Sequence, residues 1–293
     1  MRVSHISRGA LLSFPLVKTL ECTVMNYRSK LIPTVALCAT ATFLLTFAAA
    51  IPAGMPVGDL PGWKQTFVQN FDSPASLGQV EDVYGKEMRF YSGHTDTSGN
   101  GTYDPRSVLS VSDGKLNYLL HTAKGKPRVA TVVPFGYQGQ TYGRYSIRFR
   151  TDHLPGYKIA FMLWPVSDDW NEGEIDWPEG ELSKMMMYAN SKVKGSLDEG
   201  GMSADPPEFA HAPTDSADWH VATTEWTPGK VKWFWDGILI GETTLPWGVP
   251  DTDFRWTLQA ETEVGEGARI PNSRTAGLIQ VDWAVQYAYA PAD

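Results

Sequence analysis

The sequence predicts an all-β fold, an antiparallel sandwich, on three observations. Several segments alternate apolar and polar residues with period two, turn-forming pairs separate them, and helical periodicity is scarce. Residues 63–293 hold no internal repeat and no second linker, so they read as one domain. Residues 63–67, with Phe71-Asp72 close behind, open it. Residues 91–106 are rich in Gly, Ser, Thr, Asn and Asp and read as a long loop, the kind that carries specificity on a rigid sheet. Asp113-Gly114 marks a turn before a strand at 115–119. Residues 142–150 alternate with Tyr145, Ile147 and Phe149 inward and the arginines outward. Residues 158–165 are apolar enough to be buried on both faces. Residues 231–240 are two apolar runs broken by Asp236-Gly237, a hairpin signal. Residues 254–261 alternate again, which leaves Gln259 and Glu261 available to a cleft. The last strand, 279–289, sets Ile279, Val281, Trp283, Val285 and Tyr287 on one face and Asp282 on the other.

The 293-residue chain is 42% hydrophobic and 12% aromatic with a formal net charge of -8, which suits a packed globular core and disfavours nucleic acid as a partner. Residues 1–50 differ from the rest. Arg28 and Lys30 precede an uncharged run over 31–51 that ends in Ala48-Ala49-Ala50, the layout of a secretory signal peptide. Met25, just before it, offers a later start that would leave 1–24 outside the product. An uncleaved membrane anchor is the competing reading of the run. Both cysteines, Cys22 and Cys38, fall in this leader, so the domain beyond a Pro/Gly-rich linker at 51–62 is expected to carry no disulfide. The expectation is a secreted monomer with a neutral ligand and no protein partner.

Residues 171–181 hold five carboxylates, Glu172, Glu174, Asp176, Glu179 and Glu181, interleaved with Ile175 and Trp177. In an extended strand Glu174 and Asp176 share one face, and Ile175 and Trp177 the other. Glu179 stands at an odd offset from Glu174 and would face the opposite way unless one extra residue, a β-bulge, turns it back. Pro178 marks the place, because proline donates nothing to the sheet ladder and is confined in strands to edges, ends and bulges. Three acids on one face repel, so at least one is expected to hold its proton at neutral pH. Two inward-leaning carboxyls permit the chemistry of a retaining glycosidase, one as nucleophile and the other as proton donor. A solvated acidic strand face and a calcium loop are the competing readings, the second disfavoured by the interleaved aromatics.

Glu174-Ile175-Asp176-Trp177-Pro178-Glu179 resembles the bulged active-site strand, Glu-x-Asp-x-x-Glu, of glycoside hydrolase family 16, the laminarinase-like β-glucanases. Matching segments extend the resemblance over 63–289. They include Trp63 with Phe71-Asp72, Leu163-Trp164-Pro165, and Trp219-His220 with Trp226-Thr227-Pro228-Gly229. The resemblance implies a concanavalin-like jelly roll whose concave cleft suits cutting within a polymer. It implies Glu174 as nucleophile, Asp176 as its assistant, Glu179 as acid/base, Trp164 as a sugar platform, and a structural calcium at Asp282 with no cofactor required. Laminarin-type β-1,3-glucan is the default substrate, mixed-linkage β-1,3/1,4-glucan the next, and galactans such as agar or carrageenan also occur in the family.

Other candidates come from position. Trp170 lies in a polar loop just before the acids, where exposure would fit a ligand role. Where related sequences usually carry a histidine after the acids, this chain has Met185-Met186-Met187-Tyr188, which leaves Tyr188 and Asn190 for polar contacts to sugar. Gln259 and Glu261 complete the substrate-binding candidates. His211 reads as a surface loop residue and His220 as structural. The same acids would serve a transglycosylase, and a non-catalytic carbohydrate-binding protein is the non-enzyme alternative.

Overall fold

A computed structural model of the chain describes residues 54–193, 208–265 and 267–292. The leader, with its apolar run and both cysteines, lies outside the described residues. Within them the strands are β1 (Trp63–Gln69), β2 (Met88–Phe90), β3 (Thr102–Tyr103), β4 (Leu109–Ser112), β5 (Lys115–Ala123), β6 (Lys126–Pro134), β7 (Gly143–Thr151) and β8 (Tyr157–Pro165). They continue as β9 (Glu174–Glu181), β10 (Tyr188–Lys192), β11 (Glu208–His211), β12 (His220–Thr227), β13 (Lys230–Trp235), β14 (Ile238–Thr243), β15 (Phe254–Thr262) and β16 (Gly277–Tyr289). Two short helices, α1 (Val80–Tyr84) and α2 (Pro105–Val108), sit among the early strands.

The strands pair in the order β11-β10-β9-β8-β15-β6-β5-β16-β7-β12-β13-β14. The first six form one layer and the last six the other, joined where β5 and β6 pair from His121↔Arg128 to Ala123↔Lys126. All pairs along this path are antiparallel, as the alternation predicts; β3 runs parallel to β6 beside it. Three hairpins turn on two residues, Asp113-Gly114, Lys124-Gly125 and Asp236-Gly237, each with both residues at positive φ. That is the backbone a type I′ turn needs to match the strand twist, and glycine supplies it without a Cβ clash. The Asp113-Gly114 turn has a strand on each side, β4 as well as β5.

The core lies between the layers and is held by aromatic contacts across them. Phe149 of β7 meets Phe161 of β8 with ring centroids 5.8 Å apart, Tyr145 of β7 meets Trp256 of β15 at 5.6 Å, and Trp177 of β9 meets Trp235 of β13 at 5.6 Å. Tyr145, Ile147 and Phe149 are buried as predicted, while Arg144 and Arg148 of the same strand pair outside with Glu225 and Asp282.

The last strand departs from strict alternation. Val281 stands opposite Phe149 and Trp283 opposite Arg148, so β16 carries one extra residue at Asp282. A one-residue slip sends every later side chain to the other face. Ile279, Val281 and then Ala284 therefore face the main core, whereas Trp283, Val285 and Tyr287 face outward and form a second apolar cluster with Val221. Met55, Leu60 and Trp63 pack over that cluster. The segment read as a linker is thus tied to the domain, and Gln65 fixes it further by accepting from Gly58 N at 2.8 Å and donating to Pro56 O at 3.1 Å.

Candidate active site

The site is built on β9 and its neighbours β8 and β10. Lys158, Ile159 and Ala160 of β8 face Glu181, Gly180 and Glu179, but Met162 faces Asp176. On the other side Tyr188 faces Glu179 while Asn190 faces Asp176. Both neighbours advance two residues where β9 advances three, so β9 carries one extra residue between Asp176 and Glu179. The bulge expected at Pro178 is present, and the Trp177–Pro178 peptide within it is cis. Its consequence is that Glu174, Asp176 and Glu179 all line one cleft, while Ile175 and Trp177 are buried in the core.

The cleft has a volume of about 660 Å³. Its floor is the outward face of four adjacent strands, from which alternate residues project: Lys158 to Trp164 on β8, Glu174 to Glu181 on β9, Tyr188 and Asn190 on β10, and Arg255 to Glu261 on β15. One wall is the loop after β2, the specificity loop of the sequence reading. It contains β3 and the start of α2, and it is anchored through Asp96, whose carboxylate accepts from Thr262 N at 2.8 Å and Gly101 N at 2.9 Å.

Each acid has distinct surroundings. Trp170 lies in a 3-10 turn, Trp170–Glu172, capped by Asp169, and donates its indole N–H to Glu174 Oε2 at 2.6 Å. Burial pushes the Glu174 carboxyl up to about 7; the Trp170 hydrogen bond opposes this and the charge of Glu179 adds to it. Asp176 is fully buried, and burial first, then Glu174 and Glu179, raise its carboxyl well above the usual range. Burial and its two acidic neighbours therefore favour the protonated form of Asp176. Glu179 is held by two donors: Lys158 Nζ at 2.6 Å on Oε1 and Asn190 Nδ2 at 2.8 Å on Oε2.

The remaining candidates fall as follows. Trp164 is half-buried on the cleft floor and donates its indole N–H to Asp168 at 3.1 Å. Tyr188, Gln259 and Glu261 line the same cleft, although Gln259 and Glu261 are almost fully buried at its floor. Asp282 lies elsewhere, at the β16 bulge, and its carboxylate is held by Arg148. A guanidinium in that place does not fit a cation site, and no cluster of three or more His, Cys, Asp or Glu side chains with metal-binding geometry occurs among the described residues. His220 pairs with Asp236 at 2.7 Å and stacks on Trp235, a structural role. His211 is exposed as expected but belongs to β11 rather than a loop, with Glu208 at 3.2 Å.

Among the cleft residues that escaped the sequence reading are Lys158 and Arg255. Arg255 donates to Pro165 O at 3.0 Å and also holds Asp168, which fixes the loop behind Trp164. Lys158 reads in sequence as the polar end of an apolar strand. Its parity with Trp164 was the available signal, since residues an even number apart on a strand share a face.

A β-sandwich with an open cleft, floored by paired carboxylates on a bulged strand and walled by tryptophan and tyrosine, has the build of a carbohydrate-active protein. The chain belongs to glycosyl hydrolases family 16, whose model matches residues 105–284, more than half of it. It is 30% identical over 118 residues to a beta-glucanase of Rhodothermus marinus, a match covering 38% of this chain and 40% of that relative's length. The fold is shared with the endo-1,3-beta-glucanase of Streptomyces sioyaensis at TM-score 0.65 and 17% identity, over 81% of this chain and 100% of that one. It is shared also with the laminarinase of Rhodothermus marinus at TM-score 0.63 and 21% identity, over 79% and 99% of the two chains.

Proposed function

We propose that the protein is a secreted, endo-acting, retaining hydrolase of β-glucan with β-1,3 or mixed β-1,3/1,4 linkages. The observation that carries this reading is the bulge, which brings Glu179 to the face of Glu174 and Asp176. Glu174 attacks the anomeric carbon while Glu179 protonates the departing oxygen; Glu179 then takes a proton from the water that releases the sugar from Glu174. Asp176 supplies a hydrogen bond to Glu174 and so favours its ionised form. An open cleft admits the middle of a chain, and the beta-glucanase relative supports a glucan substrate. The leader supports export, and no cofactor enters any step.

The test is reducing-sugar release from laminarin, mixed-linkage glucan, agar and carrageenan by the wild type and Glu174→Gln. A loss of about 10³-fold or more in the variant is expected, with the anomer first formed, read by proton NMR, matching the configuration of the substrate. Turnover surviving in Glu174→Gln at near wild-type rate, or an inverted product, would overturn the assignment. N-terminal sequencing of the exported protein tests cleavage near Ala50, and size-exclusion chromatography tests the monomer.

A further inference from the structure

The contact between Lys158 and Glu179 conflicts with the duty of Glu179. An acid that must carry a proton sits against a buried ammonium at 2.6 Å, with its other oxygen taken by Asn190. To become the proton donor, Glu179 has to release one of these two donors. Lys158 is 7% exposed, so it cannot turn to water when it leaves. A buried ammonium needs a carboxylate partner, since breaking such a pair leaves an uncompensated charge.

The strand order supplies one. β8 lies between β9 and β15, and Glu261 of β15 stands directly opposite Lys158. Glu261 Oε1 is 3.7 Å from Lys158 Nζ and Glu261 is 2% exposed. A movement of about 1 Å, within the reach of a lysine rotamer change, would complete that second pair.

We propose that Lys158 is a positioning residue for the acid/base glutamate, its ammonium resting on Glu179 while that group is a carboxylate and passing to Glu261 when Glu179 holds the proton. The proposal rests on the hydrolase reading above. In the first step the Glu179 proton goes to the glycosidic oxygen as its bond to the anomeric carbon breaks, the electron pair leaving with that oxygen. Lys158 returns to meet the new carboxylate. In the second step water gives a proton to Glu179, its oxygen bonds to the anomeric carbon and Glu174 leaves as a carboxylate. Lys158 then crosses to Glu261. The ionisable groups facing this set are Glu174 and Asp176 from β9, Tyr188 from β10, and Asp96 and Tyr103 from the loop wall. Burial works against the Lys158 charge, but Glu179, Glu261 and Tyr188 together raise its pKa where it rests on Glu179.

The decisive experiment is a crystal structure of the full chain carrying Glu179→Gln, in which the acid/base position has lost its charge but kept its shape. Lys158 Nζ is expected within about 3 Å of Glu261 Oε1; an ammonium still seated at position 179, with Glu261 no closer than 3.7 Å, overturns the proposal. Kinetics give a second reading. The basic limb of kcat/KM on laminarin should move to higher pH in Lys158→Met and to lower pH in Glu261→Gln, each by about one unit, with Lys158→Arg holding the wild-type position. Limbs that stay in place while only the rate falls mean a structural lysine. Should Lys158→Met fail to fold, Glu261→Gln decides alone. Absence of glucan turnover, or its survival in Glu174→Gln, counts against the hydrolase reading only, because the Glu179→Gln structure reads the lysine's seat without catalysis.

Discussion

Trp170 and Glu174 are donor and acceptor, with indole Nε1 2.6 Å from the carboxylate oxygen Oε2. Among the groups around Glu174, this hydrogen bond is the main one that favours its charged form against burial. Trp170→Phe keeps the ring and removes the donor. The acidic limb of kcat/KM, which lies near pH 7 if Glu174 must be ionised to attack, is expected to move up by about half to one unit. A limb that does not move shows that another group sets it.

The raised Glu174 pKa also bears on stability. A carboxyl whose folded pKa exceeds its unfolded value of 4.5 lets the fold keep its full stability below that value and lose part of it as pH rises through about 7. Glu174→Gln abolishes the charge and should be stabilising by about 1–3 kcal/mol at pH 8 and close to neutral at pH 4. Thermal melts of the two proteins at both pH values read the difference directly. Equal melting shifts at both would contradict it.

Trp164 offers a half-buried indole to the cleft. Replacing it with alanine removes a flat apolar face from the sugar chain but touches neither Glu174 nor Glu179. KM for laminarin should rise about fivefold, with kcat changed less than threefold, since a stacked aromatic contributes about 1 kcal/mol. A fall in kcat alone would place the residue nearer the chemistry.

Replacing Pro178 with valine keeps the residue count but restores a ladder donor, and in plain alternation Glu179, five positions after Glu174, would turn toward the core side. Activity should fall about 10²–10⁴-fold, the range for a lost general acid. Near-UV circular dichroism would show whether the aromatic core survives. Wild-type activity in a folded Pro178→Val variant would show that the bulge does not aim the acid.

The parts of this architecture legible in sequence were those with local causes. Glu174, Asp176 and Glu179 could be placed because strand parity is strict and Pro178 marked where it breaks. The Asp236-Gly237 hairpin was legible because few residue pairs accept two positive φ angles in succession. The slip at Asp282 was not, because no proline or glycine stands there and the residues around it continue to alternate. Lys158 was not recognised either: its partners Glu179 and Glu261 come from two other strands, and only pairing register brings the three together. Trp170 was placed near the ligand on account of its loop, whereas its N–H is spent on Glu174. A hydrogen bond between side chains leaves no periodic trace.

The outward seam of β16 has a practical consequence for recombinant work. Trp283, Val285 and Tyr287 stay dry only because Met55, Leu60 and Trp63 lie across them. A shortened gene that began at the first strand would strip Met55 and Leu60 from that seam and invite self-association at a site far from the chemistry. Solubility, more than catalysis, therefore sets how far the leading end can be trimmed, and Met55 belongs inside the cut.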